Sequence, residues 1–218
     1  MNDSSIVTSR QMMVHPRLVR VIEKHQRTLF GQPIKAESRQ LFSMIHARWN
    51  ELGCCDLILD SGCGTGESTT KLALKNPDCL VVGLERSTVK TGKANSVPTN
   101  GMVLQGDCID IWRLMRSVPM RLRAHYWFYP NPWPKPDHLQ RRWYAMPVFE
   151  DVIALGGQFE CRTNWKILAE ELLLALERYG VSSEVGAGGD ALARRPMTAH
   201  EKKYALSGHE IWVVRAVF

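Results

Sequence analysis

Three glycines at alternate positions, Gly62, Gly64 and Gly66, stand just behind an acid, Asp60, in the run Leu57-Ile-Leu-Asp-Ser-Gly-Cys-Gly-Thr-Gly-Glu-Ser68. Glycine takes positive φ freely and lets a flat, polar ligand lie against bare main chain. A dinucleotide site uses Gly-x-Gly-x-x-Gly so that a pyrophosphate can sit on the following helix end. The tighter Gly-x-Gly-x-Gly spacing here suits a ligand without phosphates, and S-adenosylmethionine has that form. Two more acids follow two more apolar runs. Glu85 closes Leu80–Leu84 about 20 residues past the glycines, where a ribose-binding carboxylate belongs. Asp107 follows Met102–Gln105 and is placed to meet an adenine edge.

A second stretch also carries chemistry: Tyr126-Trp-Phe-Tyr129-Pro-Asn131-Pro-Trp133-Pro-Lys135-Pro136. Pro130, Pro132, Pro134 and Pro136 fix φ at every other residue and hold the segment extended, so Asn131 and Trp133 are presented rigidly. An amide beside an aromatic ring can hold a planar nitrogen heterocycle, the ring stacking on it and the amide bonding its polar edge. Arg141 and Arg142 are candidate phosphate partners. His138 reads either as a general base or as a hydrogen-bonding surface residue. Thr198 and Glu201 have capping-box spacing. From Arg113 to Arg142 there are seven basic residues against one acid, Asp137, a local +6 that equals the net charge of the whole chain. Concentrated positive charge suits a polyanion such as RNA.

These residues need a frame, and the chain supplies a strand–helix alternation. Strands are predicted at Leu57–Asp60, Leu80–Glu85, Met102–Gln105, Ala124–Tyr129 and Gly157–Arg162, with helices at Ser68–Lys75, Ser87–Ser96, Ile109–Met115, Arg141–Ala154 and Trp165–Tyr179. Val181–Val185 and Ile211–Phe218 complete the pattern as an antiparallel pair around a glycine-rich loop, Gly186–Arg195. This is an α/β, Rossmann-like arrangement, a mostly parallel seven-stranded sheet with helices on both faces. Before it, Ala36–Leu52 reads as a helix stopped by Gly53. Gln11–Phe30 contains a basic amphipathic helix opening after Pro16, either an RNA-facing arm or a lid over the cofactor. We divide the chain into an N-terminal extension, 1–31, whose first ten residues are polar and expected to be disordered, and one catalytic domain, 32–218.

At 218 residues and 44% hydrophobic composition the chain can build one full α/β core. It has no run of roughly 18 apolar residues for a membrane span and no apolar signal segment, so a cytoplasmic protein is expected, a monomer or homodimer. Its six cysteines show neither metal-ligand spacing nor disulfide density, and no metal is expected. Cys63 is read as a small residue fitting the glycine turn.

Together these pieces resemble the tRNA (guanine-N7-)-methyltransferase family, from about Gln32 to Phe218. The resemblance is carried by Asp60–Gly66, Gly83-Leu-Glu85, Gly106-Asp107, Tyr129-Pro-Asn-Pro-Trp-Pro-Lys135 with His138 and Arg141-Arg142, Thr163-Asn-Trp165, and Arg195–Glu201 with Gly208–Trp212. It implies S-adenosylmethionine bound by Asp60, Gly62, Glu85 and Asp107, and a guanine site of Asn131, Lys135, His138, Arg142, Asn164, Thr198 and Glu201. The family usually has Glu at Asp60, and Asp at both Asn131 and Asn164. Two amides accept hydrogen bonds more weakly than carboxylates and bring no charge to a base that becomes cationic on N7 methylation. Three functions stay open: methyl transfer to a ring nitrogen of a tRNA purine, with Asn131, Trp133 and Asn164 holding the base; N-methylation of a small planar nitrogen heterocycle; and tRNA binding without turnover.

Overall fold

The computed structural model describes residues 9–94, 96–188, 192 and 194–218. The elements in chain order are α1 (Leu18–Gln26), α2 (Ala36–Glu51), β1 (Leu57–Ser61), α3 (Glu67–Lys75), β2 (Leu80–Glu85), α4 (Thr88–Thr91), β3 (Gly101–Gln105), α5 (Cys108–Met115), β4 (Leu122–Phe128), α6 (Phe149–Ala154), β5 (Gln158–Thr163), α7 (Lys166–Arg178), β6 (Ser183–Ala187), α8 (Ala199–Leu206) and β7 (Trp212–Val217). The sheet has seven strands in the order β3-β2-β1-β4-β5-β7-β6. β1 pairs in parallel with β2 and with β4, β2 with β3 likewise, and β6 runs antiparallel to β7. The expected architecture is present.

Two compact units make up the chain. The first, here the glycine-turn unit, comprises Gln32–Phe128, Asp151–Phe159 and Phe218. Every residue of β1 and β2 is buried, which is why they read as continuous apolar runs. The strand order reverses at β1, between β2 and β4, and ligands of such sheets bind outside the carboxyl ends of the strands at that point. At the floor of this unit His125 is fully buried. Its Nε2 lies 2.8 Å from the Ser61 hydroxyl and accepts from the Trp127 indole N–H at 3.0 Å. Ser61 Oγ accepts in turn from the Trp112 indole at 3.1 Å. Burial holds the imidazole at a pKa of about 3, so it stays neutral.

The second, the proline-loop unit, comprises Met1–Gly31, Tyr129–Glu150 and Glu160–Val217. Its core is the apolar face of α7, with Leu168, Leu172, Ala175 and Leu176 buried, together with Val213 and Val214 of β7. α1 packs on α7 through Leu18 and Ile22, both essentially fully buried.

Some elements differ from expectation for identifiable reasons. The helix expected over Arg141–Ala154 is replaced by 3₁₀ turns at Pro136–Arg141 and Trp143–Ala145, and α6 starts only at Phe149. Pro147 lies between them, and the residue before a proline is pushed out of the helical region: Met146 has ψ 154°. The helix expected over Ser87–Ser96 is one turn, α4. β6 begins two residues later than expected, because this edge strand is largely exposed and carries no alternation to fix its start. Tyr129, expected as the last residue of β4, has left the strand with φ +55°. Of the ten residues expected to be disordered at the start, 1–8 lie outside the described residues, as does part of the glycine-rich loop, whereas Ser9 and Arg10 are described and Ser9 Oγ donates to Pro134 O at 2.7 Å.

Candidate functional site

In the glycine-turn unit the three glycines all have positive φ, 79°, 60° and 79°. At Gly66 a side chain is excluded twice over, since a Cβ would also stand 2.6 Å from Val103 Cγ2. At Gly64 the left-handed backbone faces open space, with nothing within 4 Å of where a Cβ would be. The turn is pinned to the end of β2. Gly62 and Cys63 donate N–H to Leu84 O at 2.8 and 3.0 Å, and Gly64 N–H reaches Glu85 Oε2 at 3.2 Å. Glu85 also accepts from Ser87 N at 2.9 Å.

Asp60 is fully buried at the end of β1. Its Oδ2 accepts from the hydroxyls of Ser68 and Thr69, at 2.6 and 2.7 Å, while Oδ1 has no hydrogen-bond partner among the described residues. Burial pushes this carboxyl up to about 6, against the pull of the two hydroxyls. Asp107 caps α5 by accepting from Ile109 N at 3.1 Å, and Lys35 Nζ lies 3.6 Å from its other oxygen. Cys63 is buried, and burial raises its thiol well above the ordinary value, so it is unreactive. The structure therefore brings Asp60, Gly62, Gly64, Gly66 and Glu85 together. A buried carboxylate oxygen without a donor, beside an open glycine cradle, fits a ligand with hydrogen-bond donors and a flat face.

In the proline-loop unit, Tyr129 and Trp133 both sit in the left-handed region, φ 55° and 47°, which for aromatic residues is held by surroundings rather than by preference. Between them Asn131 is exposed. Its Oδ1 accepts from Trp133 N–H at 3.2 Å, an Asx turn that does not use its NH2 group. Trp133 is half-buried, with the Arg141 guanidinium 5.0 Å above its ring and His138 edge-on at 5.4 Å. Lys135 is exposed. Asn164 Nδ2 lies 3.1 Å from His209 Nδ1.

Three expected contact residues are instead occupied by the protein. Arg142 is 2% exposed; it pairs with Glu171 and Gln11 and holds the carbonyls of Trp133 and Lys135, at 3.1 and 3.4 Å from Nη2. It positions the loop and is not free to take a phosphate. Glu201 is fully buried, taken up by Arg162, the Tyr129 hydroxyl and Met197 N–H. Thr198 caps α8 through Glu201 N at 3.0 Å, so the capping reading accounts for its hydroxyl. The local +6 dissolves in the same way. Of its seven cations, Arg113, Arg116, Arg121, Arg123 and Arg142 each have a carboxylate within 4 Å, so this stretch is not an unpaired patch.

Glu171 was missed in the sequence. It is fully buried on α7 and receives Gln11 Nε2, His15 N–H, Arg142 and the Tyr144 hydroxyl. The available signal was an acid set into the stripe Leu168, Leu172, Ala175, a position that only a paired charge occupies.

A family profile described as "Putative methyltransferase" matches residues 56–214. The tRNA (guanine-N(7)-)-methyltransferase of Bordetella pertussis is 29% identical over 175 residues, which cover 71% of this chain and 64% of that protein. The tRNA (guanine-N(7)-)-methyltransferase of Shewanella woodyi is 31% identical over 170 residues, 72% of this chain and 70% of that protein. The match thus spans under two thirds of the first relative's length. Among solved structures, one described as "Structure of an Antibiotic Related Methyltransferase" aligns with a TM-score of 0.56 at 12% identity, over 86% of this chain and 96% of that one, a likeness of fold.

Proposed function

From the premise that this chain belongs to that methyltransferase family, whose profile it matches and whose tRNA (guanine-N(7)-)-methyltransferases it is similar to, we propose that it transfers a methyl group to a ring nitrogen of a guanine in tRNA, in the cytoplasm. No described helix is long and apolar enough to cross a membrane. The observation that carries the reading is the proline loop: a strained, fourfold-proline segment with an exposed amide two residues from a half-buried indole. That is a holder for one flat base.

S-adenosylmethionine would be held by the glycine turn with Asp60 and Glu85, and it supplies the electrophilic methyl group. The chain's own residues bind and orient. Asn131 and Trp133 fix the base so that its ring-nitrogen lone pair is directed and not solvated, which is the entropic part of catalysis. Arg142 and Glu171 hold the loop without touching the base. No proton transfer is required at N7, because the lone pair attacks and the product base carries the positive charge.

The amide at Asn131 also supports a second reading. Its NH2 suits a heterocycle with acceptors on the presented edge, so a small planar nitrogen metabolite is the competing substrate. One experiment separates them: methyl transfer from labelled S-adenosylmethionine to unmodified tRNA, with nucleosides identified by mass spectrometry. The expected product is 7-methylguanosine. No methylated nucleoside from a protein that still binds the cofactor would move the substrate to a small heterocycle.

A further inference from the structure

In the proline-loop unit, α1 and its two caps carry a row of exposed cations. Arg17, Arg20, Lys24 and Arg27 are all exposed, and among the described residues no ion pair joins any of them to an acid. The helical period puts the four within about 80° of arc and along about 15 Å of axis. Leu18 and Ile22 lie on the opposite side, buried against α7. The single acid of the helix, Glu23, lies outside the basic arc.

We propose that this ridge takes the phosphate backbone of the RNA whose base the proline loop holds, an inference that rests on the tRNA reading above. Charge complementarity is one argument. Continuity is the other. Ser9 Oγ donates to Pro134 O at 2.7 Å, and His15 N–H donates to the same Glu171 carboxylate that Arg142 uses to hold the loop. The ridge therefore begins two residues from a group anchored in common with the base-holding loop. An anionic membrane would need the helix's apolar face for insertion, and that face is already spent on α7. Met12 and Met13 before the helix and Leu29 after it do stand exposed, which makes vesicles the necessary control.

The test uses the full chain with Arg17→Gln, Arg20→Gln, Lys24→Gln and Arg27→Gln combined, and separately as the pairs 17/20 and 24/27. Binding of unmodified tRNA is followed from about 50 to 200 mM salt. The fourfold variant is expected to lose at least tenfold affinity at the low end and to flatten the log–log salt slope by about 2 to 3, each pair giving roughly half, since each lost phosphate contact removes about 0.7 from the slope. Affinity for S-adenosylmethionine and the melting temperature should not move. An unchanged slope in folded variants, while the wild type binds and methylates tRNA, overturns the ridge alone. A wild type that ignores tRNA overturns the tRNA reading and the ridge with it. Ridge-dependent binding to phosphatidylserine vesicles in preference to tRNA assigns the surface to a membrane and overturns the proposal.

Discussion

Replacing the Asn131 amide by a carboxylate would break no bond that shapes the loop, because an aspartate oxygen can accept from Trp133 N–H as the amide oxygen does. Only the other group changes, from two donors to an acceptor with charge. Guanine's Watson–Crick edge offers N–H donors, and hydrogen bonds to charged groups contribute about 1.5–3 kcal/mol. Asn131→Asp with Asn164→Asp is therefore expected to raise single-turnover guanine methylation by tenfold or more; an equal or slower rate would count against guanine. Gly64→Val forces a β-branched residue to φ +60° and fills the open cradle. Calorimetry should find no cofactor binding, and retained affinity would refute the assignment of the turn. Asp60 gives a pH prediction. Its folded value of about 6 lies above the ordinary 3.8, so the native state binds the proton more tightly. Its contribution to stability falls as pH rises from about 4 to 6 and is level above that. Asp60→Asn should gain on the wild type by up to about 3 kcal/mol over that window, read by urea unfolding at both ends.

The glycine turn was legible because buried parallel strands are unbroken apolar runs, and the proline loop was legible as a stiff insert but not in its path: extension was expected, whereas Trp133 takes φ +47° and Asn131 closes an Asx turn. Arg141–Ala154 misled because its composition favours a helix while Pro147 forbids one. α1 was legible as amphipathic but not as to what covers its apolar face. Its attachment is two side chains deep, and this has a measurable result. Ile22→Ala should weaken docking by about 2–4 kcal/mol, and trypsin should then cut at Arg20, Lys24 or Arg27 many times faster than in the wild type. Unaltered cleavage would mean that Leu18 and the hydrogen bonds of Ser9, Gln11, His15 and Gln26 suffice to hold the segment.

Across the molecule, what the sequence hid was pairing. A run of seven cations looks like one surface when read along the chain, yet the fold distributes it among Asp56, Asp78, Asp110, Asp151 and Glu171, acids that lie up to 67 residues away. Asp110, three residues before Arg113 on the same helix, is a local partner; no local pattern encodes the others. The candidate residues split along the same line. Asp60, the glycines, Asn131 and Trp133 are placed by local geometry, whereas Arg142 and Glu201 are taken up by buried partners distant in sequence. Glu171 ties the N-terminal arm, the proline loop and Tyr144 through one carboxylate, and this has a dynamic consequence. Segments that share an anchor should open together as one cooperative unit. In native-state hydrogen exchange the amides of His15, Trp133, His138 and Ala145 should show a common opening free energy. Glu171→Gln should lower it for all four at once, while the amides of β1 and β2 keep their protection.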